Sequence, residues 1–194
     1  MRWSFVASAA SSATAFLSAL ALLSPPAAFA HGANLTPHRA PALEVKGELP
    51  PPPAGVASLK FGEFFIMPVG PKGLEPTGKL LSLDGRRVRL VGYVVREETP
   101  VPGRLLLSPL PVSVGDEDES LADDLPPTAV FVHLQDAKGR AAPYISGLLK
   151  LTGTLEVGAR EESDGRVSAV RLVLDRKTSR QILGARPLRQ ASAQ

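Results

Sequence analysis

The chain has 194 residues, of which 44% are hydrophobic and 21% charged, with a formal net charge of +3 and no cysteine. The missing cysteines exclude disulfide bonds and thiolate metal sites, so the folded unit must be stabilised by burial alone. The small net charge, by itself, indicates no particular class of partner.

Residues 1–30 have the pattern of a secretory signal peptide. Arg2 precedes the apolar run "AFLSALALL", and Ala28-Phe29-Ala30 matches the small-x-small cleavage rule. The apolar run is about nine residues long, whereas a membrane-spanning helix needs roughly 20. We therefore predict a periplasmic or secreted protein that is cleaved before His31 and has no transmembrane span after cleavage.

Two flanking segments are predicted to lie outside the folded domain. Residues 31–58 contain six prolines, including Pro50 to Pro53, and proline fixes extended geometry and removes backbone donors. This composition indicates a proline-rich linker. Residues 181–194 show no apolar period and are predicted to be a flexible basic tail. The folded domain is then 59–180.

Five segments in that domain have the alternation or the apolar run of β-strands. They are residues 86–97, 104–114, 128–134, 148–157 and 166–176. The alternation of the first and fourth segments places five side chains on the buried face: Val88, Leu90, Leu149, Leu151 and Leu155. A short helix capped by Thr77 is predicted at 77–83, and a single helical turn at 143–150.

This element order predicts an all-β fold, a small five-stranded OB-like Greek key barrel with one or two short helices. No long amphipathic helix is available to cover an open sheet, so the sheet covers itself by closing. Gly92 and Gly153 lie inside strands, where glycine permits the bulge or sharp coiling that a small barrel needs. A β-sandwich is the alternative, and it would need about seven strands.

The segment "LDGRRVRLVGYVVREETPVPGRLLLSPLPVSV", an acidic stretch and "ADDLPPTAVFVHL" together resemble a group of uncharacterised secreted bacterial proteins with a small OB-like β-barrel domain. The resemblance covers about residues 79–134 and includes the pattern Gly-x-x-Val-x-x-x-Gly-Tyr. It implies an extracytoplasmic, non-catalytic role, with metal handling in some members. Members carry a Cys or His before the prolines, whereas this chain has "GDEDESLADD" there, which places thiolate or imidazole ligation at that position in doubt.

The acidic stretch is the most conspicuous candidate for a metal site. Six carboxylates fall within residues 116–124, but an EF-hand loop needs glycine at its sixth position and glutamate at its twelfth, where this chain has Leu121 and Pro127. A weak, irregular divalent-metal site is the alternative to a solvated loop. The candidate ligands are Asp116, Asp118, Asp123, Asp124 and His133. A copper site on an N-terminal His31 would need His38 or His133 as a second imidazole.

No enzyme class is indicated by a local motif. The chain has no nucleophile elbow, no His-Glu-x-x-His helix and no glycine-rich phosphate loop. A Ser-His-Asp group assembled from distant segments stays open, although no residue singles one out. We therefore expect a protein that is not an enzyme and that has no cofactor, with a divalent metal as the alternative.

A binding surface is the favoured functional hypothesis. OB barrels commonly bind through the face around their second and third strands, which in this chain would present Arg87, Arg89, Tyr93 and Phe131 to a partner. Nucleic acid is not the expected partner, because only six aromatic residues follow position 30 and single-strand binding relies on stacking aromatics. The sequence thus predicts an envelope module that binds another envelope protein or a small ligand, with a metal-binding or metal-trafficking protein as the alternative. It does not indicate the oligomeric state.

Overall fold

The computed structural model describes residues 36–114 and 125–188, which are mostly β-sheet with two α-helices. The strands are β1 (His38–Arg39), β2 (Ala57–Ser58), β3 (Arg87–Val94), β4 (Arg96–Glu97), β5 (Arg104–Ser108), β6 (Ser113–Val114), β7 (Val130–His133), β8 (Leu148–Glu161), β9 (Val167–Leu174) and β10 (Arg186–Pro187). The helices are α1 (Gly78–Ser82) and α2 (Arg176–Leu183), with a short 3-10 helix at Phe61–Glu63. The five predicted strand segments are confirmed as β3, β5, β7, β8 and β9, and the all-β class fits.

The five long strands form a ring of pairings. β3 is antiparallel to both β5 and β8, β5 is antiparallel to β7, and β8 is antiparallel to β9. The strands β7 and β9 are parallel, with Phe131 opposite Arg171. Following the pairings from β3 through β5, β7, β9 and β8 therefore returns to β3. β2 adds to the start of β3 in parallel.

The inner face of this ring holds the main apolar core. The five side chains predicted to face inward are all fully buried, which confirms the alternation: Val88, Leu90, Leu149, Leu151 and Leu155. They pack in one cluster with Leu105 and Leu107 of β5 and with Val130 and Val132 of β7. Because side chains alternate between the faces of a strand, the neighbouring residues of β5 and β7 point to the opposite face.

The two strand glycines are needed for close approach between strands. A Cβ on Gly92 would lie 2.7 Å from the carbonyl oxygen of Ser108, and one on Gly153 would lie 2.5 Å from that of Val173. The bulge expected at these glycines lies elsewhere, between Val157 and Arg160 in β8. A side chain at position 92 or 153 would therefore collide with the backbone of the neighbouring strand.

Of the two predicted helical segments, one is confirmed and one is wrong. The helix α1 begins after Thr77, whose hydroxyl accepts a hydrogen bond of 3.1 Å from the Leu80 amide. Residues 143–150 contain no helix. The reason is that their backbone bonds to the N-terminal segment, with the His38 amide donating to the Tyr144 carbonyl and the Ser146 amide donating to the His38 carbonyl.

The predicted linker, 31–58, is wrong for its described part, because residues 36–58 pack on the sheet. Leu43 is only 6% exposed. Its carbonyl accepts from the Lys150 amide, and the Val45 amide donates to the Leu148 carbonyl. Proline lacks a donor but keeps its carbonyl acceptor, and Arg89 donates to the Pro50 carbonyl at 2.7 Å. Residues 36–58 are therefore part of the fold.

The flexible tail predicted at 181–194 begins too early in the chain, because residues 181–188 belong to the fold. The helix α2 runs to Leu183, Asp175 caps its first turn, and Ile182 is fully buried. β10 then pairs with β1, so residues 181–188 are ordered by packing and by backbone pairing. Residues 189–194 lie outside the described part of the chain.

Both helices are short, with five residues in α1 and eight in α2. A helix needs roughly 20 apolar residues to cross a bilayer. Within residues 36–114 and 125–188, no helix has the length and apolar character of a membrane span.

Candidate binding site

The predicted metal ligands are only partly within the described residues. Asp116, Asp118, Asp123 and Asp124 lie outside them, in the segment 115–124. His133 is described and stands at the end of β7. In the described ranges, no group of three or more His, Asp or Glu side chains is placed to hold a metal ion.

The four predicted partner-binding residues do not form one exposed surface. Arg87 is exposed and pairs with Asp175 at 3.2 Å, and Tyr93 is half-buried. Arg89 and Phe131 are buried, at 7% and 4% exposure, and these two assignments are corrected. The proline-rich segment covers Arg89, as described above, and Phe131 packs in a second apolar cluster with Val95, Leu106 and Val114.

We name the outer side of β5, β7 and β9 the charged face. It consists of Arg104 on β5, Phe131 and His133 on β7, and Arg171 on β9, and it faces away from the main core. Acidic side chains reach it from β4 and from the β8–β9 hairpin: Glu97, Glu156, Glu162 and Asp164. None of these acids lies in the predicted acidic loop.

Arg104 is the central residue of the charged face. Its side chain is 3% exposed and contacts the Oε1 atom of Glu97 at 3.1 Å and the Oδ2 atom of Asp164 at 2.8 Å. Its guanidinium carbon lies 5.0 Å from the centre of the Phe131 ring, within cation–π distance. Both acids contact the Nη2 atom, and Nε and Nη1 of Arg104 have no hydrogen-bond acceptor in the part of the chain that the structure describes. A buried guanidinium with two free donors is costly.

The pKa values of the two acids around Arg104 are shifted in opposite directions. Burial raises the pKa of Glu97, and the charges of Arg104 and Arg166 oppose this without cancelling it. Burial also pushes the pKa of Asp164 upward, but the hydrogen bond and charge of Arg104 outweigh it, so that pKa is lowered. Glu97 is 9% exposed and Asp164 21%, which explains why desolvation dominates only at Glu97.

His133 occupies a second cluster on the same face. Its Nε2 atom lies 3.3 Å from Oε2 of Glu162 and 3.1 Å from Nη2 of Arg160. A neutral Nε2 acceptor suits Arg160, whereas a protonated Nε2 suits Glu162. Burial lowers the pKa of His133 and outweighs the opposing charge of Glu162, so the site favours the neutral imidazole.

The second cluster also contains a serine, but not in the order of a catalytic triad. The Ser168 hydroxyl is fully buried and donates to Oε1 of Glu162 at 2.6 Å. The carboxylate thus lies between the hydroxyl and the imidazole, whereas a triad places the imidazole beside the hydroxyl. Arg171 also donates to Ser168 Oγ, at 3.0 Å. This arrangement ties Ser168 to the β8–β9 hairpin, and the hydroxyl contacts the Glu162 carboxylate rather than the His133 imidazole.

A groove opens beside the charged face. Its volume is about 340 Å³. The lining residues are Leu125, Pro126, Pro127, Ala129, Phe131, Arg166, Val167 and Ala169. Seven of these eight lining residues are apolar, and Arg166 has the only ionisable side chain among them. The Nη1 atom of Arg166 is buried without a hydrogen-bond acceptor.

Sequence reasoning missed most of this site. Arg104, Glu97, Glu162 and Asp164 are separated by up to about 67 positions and carry no local motif. The alternation of β5 could have placed Arg104 on the outer face. Leu105 and Leu107 point to the core, so Arg104 and Leu106, at the even positions, point away from it. The alternation could not show which acids would meet Arg104, since that depends on how the β8–β9 hairpin bends over the sheet.

The chain matches no protein-family model and no curated protein. Among solved structures it is similar to a DUF3299 family protein from Pseudomonas aeruginosa, at 13% sequence identity and a TM-score of 0.38. The similarity covers 70% of this chain and 97% of that one. A similarity this low carries no argument about the fold or the function of this chain.

Proposed function

We propose that the chain is an extracytoplasmic OB-like barrel that acts as a non-catalytic binding or accessory module of the bacterial envelope. The closed series of pairings from β3 back to β3, with β7 and β9 parallel, supports a Greek key barrel over a two-sheet sandwich. The apolar run after Arg2 supports export.

The charged face and the groove beside it form the proposed contact region. The observation that carries this proposal is the buried guanidinium of Arg104, which keeps two donors without an acceptor. Replacing such a buried ionic group with apolar residues is often neutral or stabilising. Arg104 lies over the ring of Phe131, which lines the groove, and this supports a role of the region in binding.

The proposed partner is another envelope protein or a small ligand. The groove of about 340 Å³ has the size of a small-ligand pocket, and the exposed Val167 at its rim suits a protein contact. A non-catalytic role is supported by the position of Ser168, whose nearest acidic partner is Glu162 and whose hydroxyl is fully buried.

Metal handling was the alternative from the sequence. Of its candidate ligands within the described residues, His133 has Glu162 as its acidic neighbour and Arg160 on the same nitrogen. A cation would have to displace the Arg160 guanidinium. No structural observation therefore favours a metal over a partner at this position.

Site-specific photocrosslinking in cells tests the proposal. A photoreactive phenylalanine at Val167, which is 66% exposed beside the groove, is expected to crosslink to a discrete envelope protein. The same probe at Leu81, which is 53% exposed on α1, is the matched control and is expected to give no discrete product.

Thermal unfolding of the purified protein separates the competing functions. A ligand that binds only the folded form raises the melting temperature, so stabilisation by calcium, zinc or copper would favour the metal alternative. Turnover of ester, phosphate or glycoside substrates would overturn the non-catalytic assignment. Equal crosslinking at positions 167 and 81 would contradict the proposed contact region.

A further inference from the structure

Within residues 36–114 and 125–188, no strand pairs with one edge of β9 at residues 167–170. β9 pairs with β8 from Val167 to Leu174, but its pairing with β7 begins only at Arg171, opposite Phe131. Residues 167–170 are therefore paired on one side alone. An unpaired strand edge presents backbone donors and acceptors in a row, and it is a template for another extended chain.

The backbone of Val167 and Ala169 points to this open side. The Glu162 amide donates to the Arg166 carbonyl at 2.8 Å across the β8–β9 hairpin. In an antiparallel pair, hydrogen-bonded and non-hydrogen-bonded residue pairs alternate, so the next pair, Glu161 with Val167, directs its backbone groups outward. Successive backbone groups alternate along a strand, which places those of Ala169 on the same side as those of Val167.

Residues 125–129, directly before β7, do not pair with this edge because prolines interrupt their backbone donors. In the register that places Phe131 opposite Arg171, residues 127–130 would stand opposite 167–170, but Pro127 has no amide donor. The Ala129 amide instead donates to the Pro126 carbonyl at 2.7 Å and closes a turn. The groove of about 340 Å³ lies between this turn and β9.

The groove has the chemistry of a peptide site. Phe131, Leu125 and Val167 line it with apolar surface, and Val167 is 66% exposed. At one end, Nη1 of Arg166 is buried and has no hydrogen-bond acceptor among the described residues: Oε1 of Glu97 is 4.0 Å from it, and Asp164 contacts Nε rather than Nη1, at 3.8 Å. Both distances exceed hydrogen-bond reach, so the donor is free for a carbonyl oxygen.

We propose that an extended, apolar segment of a partner protein binds in this groove as an additional strand on the free edge of β9. Its backbone pairs with Val167 and Ala169, its alternate side chains contact Leu125 and Pro127, and one of its carbonyl oxygens accepts from Arg166. Strand addition of this kind takes affinity from main-chain hydrogen bonds and specificity from side-chain pockets. The inference rests on the proposed binding function and specifies the class of ligand.

Selection from a phage-displayed library of random 12-residue peptides on the purified protein tests this inference. Enriched peptides are expected to share alternating apolar residues, because every second side chain faces the groove. Synthetic versions of these peptides with N-methylated backbone amides on the paired side are expected to lose binding, measured by fluorescence anisotropy. This change leaves the protein itself unaltered.

A matched pair of protein variants supplies the second measurement. Ala169→Pro removes the outward amide without removing a bond to β8, so the fold is expected to persist, as checked by circular dichroism, while peptide affinity falls at least about tenfold. Ala159→Pro, in the bulge of β8 opposite Ala169, is the control and is expected to keep peptide affinity. Arg166→Gln is expected to weaken binding about tenfold, since it removes a charged donor.

Three outcomes would overturn the inference. They are no enrichment of peptides over a blank surface, enriched peptides that tolerate N-methylation, and equal affinity for wild type and a folded Ala169→Pro variant. If Val167 crosslinks to a partner while any of these holds, the binding module stands and only strand addition fails. If neither crosslinking nor peptide binding occurs, the binding module itself fails.

Discussion

The two faces of the central sheet are built from different chemistry. The inner face consists of fully buried apolar side chains such as Leu107, Leu151 and Leu172. The outer face of the same strands buries Arg104 at 3% exposure. Arg104 lies beside Glu97 and over the ring of Phe131, which belongs to the small apolar cluster. Burial of apolar surface stabilises a fold directly, whereas burial of ion pairs often does not.

The two faces contribute differently to the fold: the inner face supplies apolar burial, and the outer face fixes how particular segments are arranged. The inner face holds the larger of the two apolar clusters, so most of the hydrophobic stabilisation comes from that side of the sheet. A buried arginine with two free donors and two acids on one nitrogen instead holds β4, β5 and the β8–β9 hairpin in one arrangement. That arrangement also places Arg166 and Val167 beside the groove.

The largest expected effect comes from adjacent leucines of β5. Leu106 and Leu107 are both fully buried, but Leu107 belongs to the main core and Leu106 to the small outer cluster. Leu107→Ala is expected to lower the free energy of unfolding by about 4 kcal/mol and Leu106→Ala by about 2 kcal/mol, because the smaller cluster can collapse around the cavity. Urea denaturation measures both. Equal losses would break the distinction between the faces.

The next effect concerns the buried guanidinium. Arg104→Met leaves Glu97 and Asp164 without their cation and is expected to cost about 3 kcal/mol at neutral pH. Adding Glu97→Gln and Asp164→Asn to the same chain is expected to restore most of that stability, since no uncompensated charge then stays buried. If the triple variant is no more stable than Arg104→Met, the burial of uncompensated charge is not the cause of the lost stability.

The pH dependence of stability gives a smaller effect on the same face. Burial lowers the pKa of His133 in the folded state, so the unfolded chain binds its proton more readily. The stability that His133 contributes is therefore complete above its unfolded pKa, about 6.5, and is lost as the pH falls below that value. His133→Gln is expected to remove this part of the pH dependence, measured by urea denaturation between pH 8 and pH 5. An identical profile in wild type and variant would contradict the direction of the pKa shift.

The smallest effect is expected at an exposed pair. Arg87 and Asp175 lie 3.2 Å apart with side chains 53% and 37% exposed. Exposed pairs of this kind contribute less than about 1 kcal/mol, so Arg87→Met is expected to change the melting temperature only slightly and to leave the Val167 crosslink intact. A loss of that crosslink would return Arg87 to the contact surface predicted from the sequence.

Much of the sheet could be predicted from local patterns. The alternation of Val88 and Leu90, and that of Leu149 and Leu151, identified their buried face because a strand has a period of two. The Thr77 cap was predictable because an N-cap bond joins residues three apart. The helical turn at 143–150 was wrong because its backbone bonds to residues about a hundred positions away, and local preference cannot detect such partners.

The residues of the candidate site were harder to predict from local sequence patterns. Arg89 and Phe131 alternate correctly for an outer face, yet the proline-rich segment contacts one and the outer cluster covers the other. The period of a strand shows that a side chain is not in the core. It does not show whether a second layer of chain lies above it.

The sequence by itself determined the five long strands, their inward residues and the cap of α1, because each depends on spacing within a few positions. Four features could be seen only in the three-dimensional arrangement: the packing of residues 36–58, the helix that extends past position 180, the pairing of Arg104 with Glu97 and Asp164, and the edge of β9 that no described strand pairs with. These features depend on which distant segments meet, and that is set by burial of the whole apolar face and by hydrogen bonds between segments rather than by local conformational preference.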